Sequence, residues 1–358
     1  MSRLALLEEG AAKFLAPDPQ IYRDPTKAPV FYNRLMERNR TTSVAILSAY
    51  AERRGGDLDV CEPLSATGIR GIRYALETKA VGKLILNDIS KIAYELIIKN
   101  LEINGIKADV YNDDANILLR RLEKKCDVVD IDPFGSPAPY LESAFVALRD
   151  GGLLCVTATD IAVLVGRYRD KALRRYGVFL RKLPFYVEVG LRVLLGYIAR
   201  VAAASDFAIR PLIAYWERHY FRSCVEVVEG ARDAADSLRN LGYLLYSRGY
   251  RRTSKYAAEG AVGPLWLSEL GDAEFLSSAA SGAPGDVADF FELLSAEYAV
   301  ERPWYYLYHE FGDLELSLEE VIRALRGRGI YAAPTHMSPQ GLKAEADYGE
   351  LRLLLRFR

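Results

Sequence analysis

Asp127-Val128-Val129-Asp130-Ile131-Asp132-Pro133-Phe134-Gly135-Ser136-Pro137 is the stretch from which the fold of this 358-residue chain is worked out. A β-branched run stops at an acid, a proline and an aromatic ring, so a buried strand delivers three different chemistries to its carboxyl end. In an open α/β sheet that end is where ligands sit. Asp132 accepts hydrogen bonds, Pro133 leaves its carbonyl unpaired in a stiff turn, and Phe134 offers a flat apolar face. Together they suit a planar group that bears an NH2. The plain alternative is an Asp-Pro turn after an ordinary strand, and the residues upstream decide between the two.

From Asp57 the apolar pattern alternates between strand and helix, which predicts a parallel sheet with crossover helices. Strands are expected at Leu58 to Leu64, Lys83 to Leu86, Ala108 to Tyr111, the run ending at Asp132, and Leu153 to Ala158. Between the first strand and its helix, Ser65-Ala66-Thr67-Gly68-Ile69-Arg70-Gly71 is a small-residue turn that exposes backbone N–H groups at a helix N-terminus. Asp88 follows Gly68 by 20 residues, about the spacing at which an acid after the second strand reaches a ribose hydroxyl. The turn lacks the full G-x-G-x-x-G pattern, which argues against a dinucleotide site and hence a dehydrogenase. Glu62, the Gly68 turn, Asp88, Asp114 and Asp132 fall at the carboxyl ends of four successive strands. One nucleoside ligand and its reaction partner would both be reached there.

Composition bounds the rest. Half of the residues are hydrophobic and 27% are charged, as in a soluble globular protein. No apolar run approaches the ~20 residues of a membrane span, and the acids Glu8 and Glu9 spoil any signal-peptide pattern, so a cytoplasmic location is expected. The four cysteines, Cys61, Cys126, Cys155 and Cys224, lie far apart in strand-like runs and read as buried thiols. His219, His309 and His336 are equally scattered, and no zinc spacing exists. The net charge of −1 hides an asymmetry. Tyr256 to Glu301 holds no Lys or Arg, whereas Gly166 to Phe185 holds Arg167, Arg169, Lys171, Arg174, Arg175, Arg181 and Lys182 against one acid. A basic face is therefore expected on a near-neutral protein. Glutamine occurs only at positions 20 and 340, a thermophilic trait.

Three divisions of the chain follow. Residues 1–56 read as an irregular arm, about 30 residues long, and a helix; the aromatic and cationic groups of Phe31 to Arg40 either contribute to the pocket or simply open a surface helix. Residues 57–232 hold the sheet, which closes with an apolar helix at Val187 to Ala204 and two strands joined near Arg218-His219. Residues 233–358 read as a smaller α+β module. Its stretch Arg248 to Lys255 interleaves arginine with tyrosine, which suits RNA backbone and base contacts; a solvated turn with structural tyrosines is the alternative.

In order along the chain stand Phe31-Tyr32-Asn33 with Asn39-Arg40, Leu64-Ser65-Ala66-Thr67-Gly68-Ile69-Arg70-Gly71-Ile72-Arg73, Asn87-Asp88-Ile89-Ser90, Asp113-Asp114-Ala115-Asn116, Asp132-Pro133-Phe134-Gly135-Ser136-Pro137, Val156-Thr157-Ala158-Thr159-Asp160, Glu188-Val189-Gly190, His219-Tyr220-Phe221-Arg222, Gly263-Pro264-Leu265-Trp266 and Thr335-His336. In these blocks the chain resembles the tRNA (guanine-26, N2)-dimethyltransferase family of archaea and eukaryotes. The resemblance implies a class I, Rossmann-like methyltransferase domain that uses S-adenosyl-L-methionine, followed by a C-terminal tRNA-binding domain. It further implies that Arg40, Arg70, Asp88, Asp114 and Ala115 line the cofactor site, and Asp132, Pro133 and Phe134 the target-base site. Some relatives carry paired cysteines before the Pro-Leu-Trp block, consistent with zinc. This chain has none there, so no metal is expected.

The implied reaction is direct methyl transfer to the N2 amine of guanine 26, giving N2,N2-dimethylguanine by way of the monomethyl form. Asp132 and the Pro133 carbonyl would hold the amine, and Phe134 with Phe31 would stack on the flipped base. Arg251, Arg252, Arg174 and Arg175 are the candidate RNA contacts, and a monomer is expected. Two rivals stand: an amine methyltransferase acting at another position or on another nucleic acid, and a catalytically idle RNA-binding module. The carboxylate at Asp132 speaks against the second.

Overall fold

The computed structural model describes residues 3–312 and 316–356. Two compact units emerge. The first holds the residues up to Pro133, Tyr140–Val156 and Ser278–Asp289; the second holds Phe134–Pro139, Thr157–Ser277 and the residues from Phe290 onward.

The first unit begins with a hairpin, β1 (Leu4–Glu9) and β2 (Ala12–Pro17), where the sequence reads as an irregular arm. The alternation that marks a strand is inverted here. Leu4 and Leu6 are exposed, and the buried position is the acid Glu9. Glu9 is tolerable inside because Arg40 binds it through Nε and Nη2, at 2.6 and 2.5 Å, and Arg73 Nη1 adds a third bond at 3.0 Å. Burial raises the Glu9 pKa, but the two guanidinium groups outweigh it and hold the carboxyl below its ordinary value.

Helix α1 (Glu37–Arg54) leads into the alternating region. There β3 (Leu58–Glu62), α2 (Ile69–Glu77), β4 (Val81–Asn87), α3 (Lys91–Asn104), β5 (Asp109–Tyr111), α4 (Ala115–Arg121), β6 (Cys126–Ile131), α5 (Leu141–Ala147) and β7 (Leu148–Ala158) follow in turn. Within the sheet, five strands run parallel in the order β5-β4-β3-β6-β7. The expected strands are all present within a few residues, and α3 starts at the expected N-cap, Ser90. Every residue of β6 is buried, as a strand covered on both faces requires. Asp127, at the amino end of β6, is pinned by Arg54, Arg149 and the Asp59 N–H. Its role is structural, in contrast to Asp132 five residues on.

In the second unit, α6 (Ile161–Leu164), α7 (Arg169–Tyr176) and the largely buried α8 (Tyr186–Ala203) precede the hairpin of β8 (Phe207–Glu217) and β9 (Tyr220–Glu229), which turns at Arg218-His219 as expected. Beyond α9 (Ala231–Leu238) lie β10 (Leu241–Ser247), β11 (Tyr250–Ser254) and β12 (Val262–Trp266), in the order β11-β10-β12. Helices α10 (Ala273–Gly282) and α11 (Gly285–Tyr298) follow in the chain, Ser278–Asp289 at their junction belonging to the first unit. The chain then runs through β13 (Tyr306–Leu307), α12 (Leu318–Arg326), β14 (Ala332–Thr335), β15 (Ser338–Ala344) and α13 (Tyr348–Arg356). Phe311, Val321, Leu325, Leu342 and Leu351 form the core beneath the last strands. Glu188 of α8 is fully buried. Its Oε1 accepts from Arg192 Nη2 at 2.7 Å, and its two oxygens accept the Trp304 and Tyr305 N–H groups at 2.8 and 2.7 Å.

The reading of all four cysteines as thiols is corrected. Cys61 and Cys126 are free and buried, whereas Cys155 and Cys224 are disulfide-bonded. Their separation in the chain gave no framework signal.

Candidate active site

The carboxyl ends of β3, β4, β5 and β6 carry the acids the sequence placed there, and the structure shows what holds each one. After β3, Ser65 to Gly68 turns sharply, with Ala66 at φ +49° and Gly68 at φ +77°. A left-handed conformation at Ala66 is strained and needs support. Asp88 gives it: Oδ2 accepts the Ala66 N–H and Oδ1 the Ser90 N–H, each at 2.9 Å. Burial raises the Asp88 pKa against those two bonds. Each oxygen keeps a lone pair for a further donor. Asp114 caps α4 through Oδ1, which accepts from Asn116 N and Ile117 N at 2.8 and 3.2 Å. Its Oδ2 has no partner among the described residues, and the neighbouring Ala115 N–H, in the first helical turn, has no intrahelical acceptor. An acceptor and a donor therefore stand side by side, the pattern of an adenine N6 and N1 edge.

Asp132 sits just past β6. Its Oδ2 is bound by Arg70 Nη2, and its Oδ1 has no partner among the described residues. The side chain is 23% exposed. Arg70 is only 3% exposed and does more than this one task. It donates to Ser43 Oγ and Asn39 Oδ1, both at 2.9 Å, and lies 3.5 Å from Glu62 Oε1 and 3.9 Å from Asp130 Oδ2. Glu62 in turn accepts the Gly71 N–H at 3.1 Å, and Asp130 the Tyr74 hydroxyl at 2.6 Å. Three carboxylates thus surround one guanidinium. Burial opposes the Arg70 charge, but Asp130 and Asp132, with Tyr74 and Glu62, hold its pKa well above the ordinary value. Burial, with Asp130 and Asp132 adding to it, pushes Glu62 up to about 8 against the pull of Arg70. Glu62 thus gives up its proton less readily than an ordinary carboxyl, which lessens the negative charge crowded around Asp132.

The sequence reading marked Arg70 and Asp132 separately, for the cofactor and the target base; the structure couples them. It gave no site role to Asn39 and Ser43, which stand four apart on one face of α1. Arg40 lies on that helix too, but its guanidinium is spent on Glu9 and the Asn33 carbonyl. Phe31 is half-buried, and Phe134 is 67% exposed. The Pro133 carbonyl accepts no hydrogen bond among the described residues. Among these residues no three His, Cys, Asp or Glu side chains group as a metal site, and no helix is long and apolar enough to cross a membrane.

The candidate RNA contacts divide. Arg174 is exposed on α7, and Arg175 is half-buried against Asp160 Oδ2 at 2.9 Å. Arg252 is exposed, but the Arg251 side chain is 1% exposed, pairs with Glu310 at 2.6 Å, and lies 4.4 and 4.3 Å from the Phe185 and Tyr306 ring centres. Period-two alternation in β11 explains the split: adjacent residues face opposite ways. Arg251 is thus a packing residue, with no surface to offer a phosphate.

A family model described as N2,N2-dimethylguanosine tRNA methyltransferase matches residues 10–356. The tRNA (guanine(26)-N(2))-dimethyltransferase of Pyrobaculum neutrophilum is 58% identical over 98% of this chain and 99% of its own. That of Pyrobaculum aerophilum is 55% identical over 99% of this chain and 97% of its own. The solved structure of Trm1 from Pyrococcus horikoshii with S-adenosyl-L-methionine aligns at a TM-score of 0.88 and 32% identity, over 99% of this chain and 100% of that one.

Proposed function

The chain belongs to the N2,N2-dimethylguanosine tRNA methyltransferase family, and from that membership we infer that it dimethylates the N2 amine of guanine 26 in tRNA with S-adenosyl-L-methionine as donor. The single observation that carries the assignment of the catalytic residue is the asymmetric hold on Asp132, one oxygen fixed by Arg70 and the other open.

The residues present fit the donor. Asp88 keeps acceptor capacity for two ribose hydroxyls, and Asp114 Oδ2 with the Ala115 N–H matches the adenine edge. Arg70 is the cation at hand for the carboxylate of its amino-acid part, whereas Arg40, bound to Glu9, borders the site without a free guanidinium. When bound, S-adenosyl-L-methionine supplies a methyl group on a sulfonium that needs no activation by the protein.

The protein's work is on the amine. The N2 lone pair of guanine is delocalised into the ring, so N2 is a weak nucleophile until acceptors hold its N–H bonds. Asp132 Oδ1 and the Pro133 carbonyl are two such acceptors. Asp132 also stabilises the positive charge that grows on nitrogen, and it takes the proton that nitrogen sheds after transfer. After the first methyl group one N–H remains, and one acceptor still suffices to hold it. Phe134, the residue after Pro133 and 67% exposed, offers its ring for stacking on the extruded base. On this reading residues 57–232 are the methyltransferase domain and 233–358 the tRNA-binding domain, with Arg174, Arg175 and Arg252 on the RNA. The enzyme acts as a monomer in the cytoplasm, without a metal.

Nucleoside mass spectrometry of a tRNA transcript incubated with enzyme and donor tests the reading. N2,N2-dimethylguanine is expected, and it should vanish when guanine 26 is replaced by adenine. Product that survives this replacement places the methyl groups elsewhere and overturns the assignment.

A further inference from the structure

The exposed face of the β10–β11 hairpin carries a cavity of about 380 Å3, none of whose residues belongs to the Asp132 network. The hairpin turns at Arg248-Gly249, both with positive φ, which fixes the pairs Ser247↔Tyr250 and Leu245↔Arg252. Directly paired residues share a face, so Leu245, Tyr250 and Arg252 line the cavity together, and Arg181 and Glu259 complete its wall. The volume lies within the range of about 300 to 1,000 Å3 typical of small-ligand sites.

The chemistry of the wall is specific. Arg181 is held in place, with Nη2 donating to the Tyr246 carbonyl at 2.6 Å, yet its Nε is buried without an acceptor among the described residues. Arg252 is exposed and has no carboxylate partner among them. The Tyr250 ring packs edge-on against Tyr348, centroids 5.2 Å apart, and remains 48% exposed. A fixed aromatic ring beside two cations with spare donors is what a base and its phosphate require.

We propose that this cavity is a subsite for one unpaired guanosine nucleotide of the RNA substrate, separate from the target base. The base lies on Tyr250 and Leu245, and the phosphate meets the exposed guanidinium of Arg252, with the charge of Arg181 in the adjoining wall. Glu259 selects the base, because guanine alone presents two adjacent donors, N1–H and the N2 amine, to one carboxylate. The proposal rests on tRNA being the substrate.

The test uses the full chain, labelled tRNA transcript in fluorescence anisotropy, and transcripts with each unpaired guanosine other than guanine 26 replaced by uridine. Tyr250→Ala should weaken tRNA binding about 5- to 100-fold, the cost of one lost base stack. Tyr250→Phe should stay within about two-fold of wild type, and both should keep the donor affinity and the rate at saturating tRNA. Arg252→Ala should lower the salt slope by about 0.7. One guanosine replacement should weaken wild type but not Glu259→Gln. The proposal is overturned if Tyr250→Ala binds like wild type, if Tyr250→Phe is as weak as Tyr250→Ala, or if no guanosine couples to Glu259. Failure of the functional reading is separate and shows as wild-type enzyme that makes no dimethylguanine.

Discussion

Arg70→Lys keeps the charge at the centre of the acid cluster and removes its fork. The guanidinium donates to Ser43, Asn39 and Asp132 and faces Glu62 and Asp130 besides. A single ammonium on a different stem reaches fewer of them in good geometry. The two bonds from the charged guanidinium to Ser43 and Asn39, at about 1.5 to 3 kcal/mol each, put the loss there near 3 to 6 kcal/mol. The Ser43 and Asn39 bonds exist in the resting protein, so their loss falls on stability and should lower the melting temperature by several degrees. The Asp132 bond sets where the open oxygen points, so its loss falls on the methyl-transfer step, with a fall of about 10- to 100-fold, the equivalent of 1.4 to 2.7 kcal/mol. Calorimetric melting, donor titration and single-turnover transfer at saturating donor separate the parts. A variant with weakened donor affinity but unchanged melting and unchanged saturated rate would make Arg70 a cofactor ligand with no hold on Asp132, and the reasoning would be refuted.

Asp88→Ala should weaken donor binding about 10- to 150-fold while tRNA affinity holds, since it removes the ribose acceptors and the support of Ala66 together; unchanged affinity in calorimetry would remove Asp88 from the site. Arg251→Met should leave the salt dependence of tRNA binding as in wild type and cost about 3 to 5 kcal/mol of stability by stranding Glu310; a shallower salt slope with intact melting would return Arg251 to the RNA surface. For Glu188, burial raises the pKa, but Lys343, Arg192 and the backbone N–H groups bring it down to about 2. A lowered pKa gives stability that is present above the ordinary value of 4.5 and is lost as pH falls towards about 2. Melting curves from pH 6 to pH 2.5 should therefore fall more steeply for wild type than for Glu188→Gln, and parallel curves would count against the network.

The sheet was legible because its period is strong. Val128 to Ile131 reads as a buried strand, and acids at successive strand ends belong where parallel strands gather ligands. What failed did so for physical reasons. In β1 Leu4 and Leu6 face outward and the buried position is Glu9, so a rule that buries apolar residues misses the strand. Arg70 was visible as a cation near a ligand turn, but its grip on Asp132 depends on Asn39 and Ser43 from α1, which only tertiary packing delivers. Arg251 and Arg252 look alike in sequence, and only the pairing register of β10 and β11 gives them opposite faces. The disulfide-bonded Cys155 and Cys224 are 69 positions apart in the sequence and lack a motif.

The central claim is that the open oxygen of Asp132 holds the target amine, and Asp132→Asn tests it most directly. The amide keeps the size of the side chain but loses its negative charge, and it can turn an NH2 towards the substrate's own donors. Single-turnover formation of N2,N2-dimethylguanine at position 26 should fall about 100- to 1,000-fold, with donor affinity and melting temperature near those of wild type. A rate within a few-fold of wild type in the folded variant would contradict the claim.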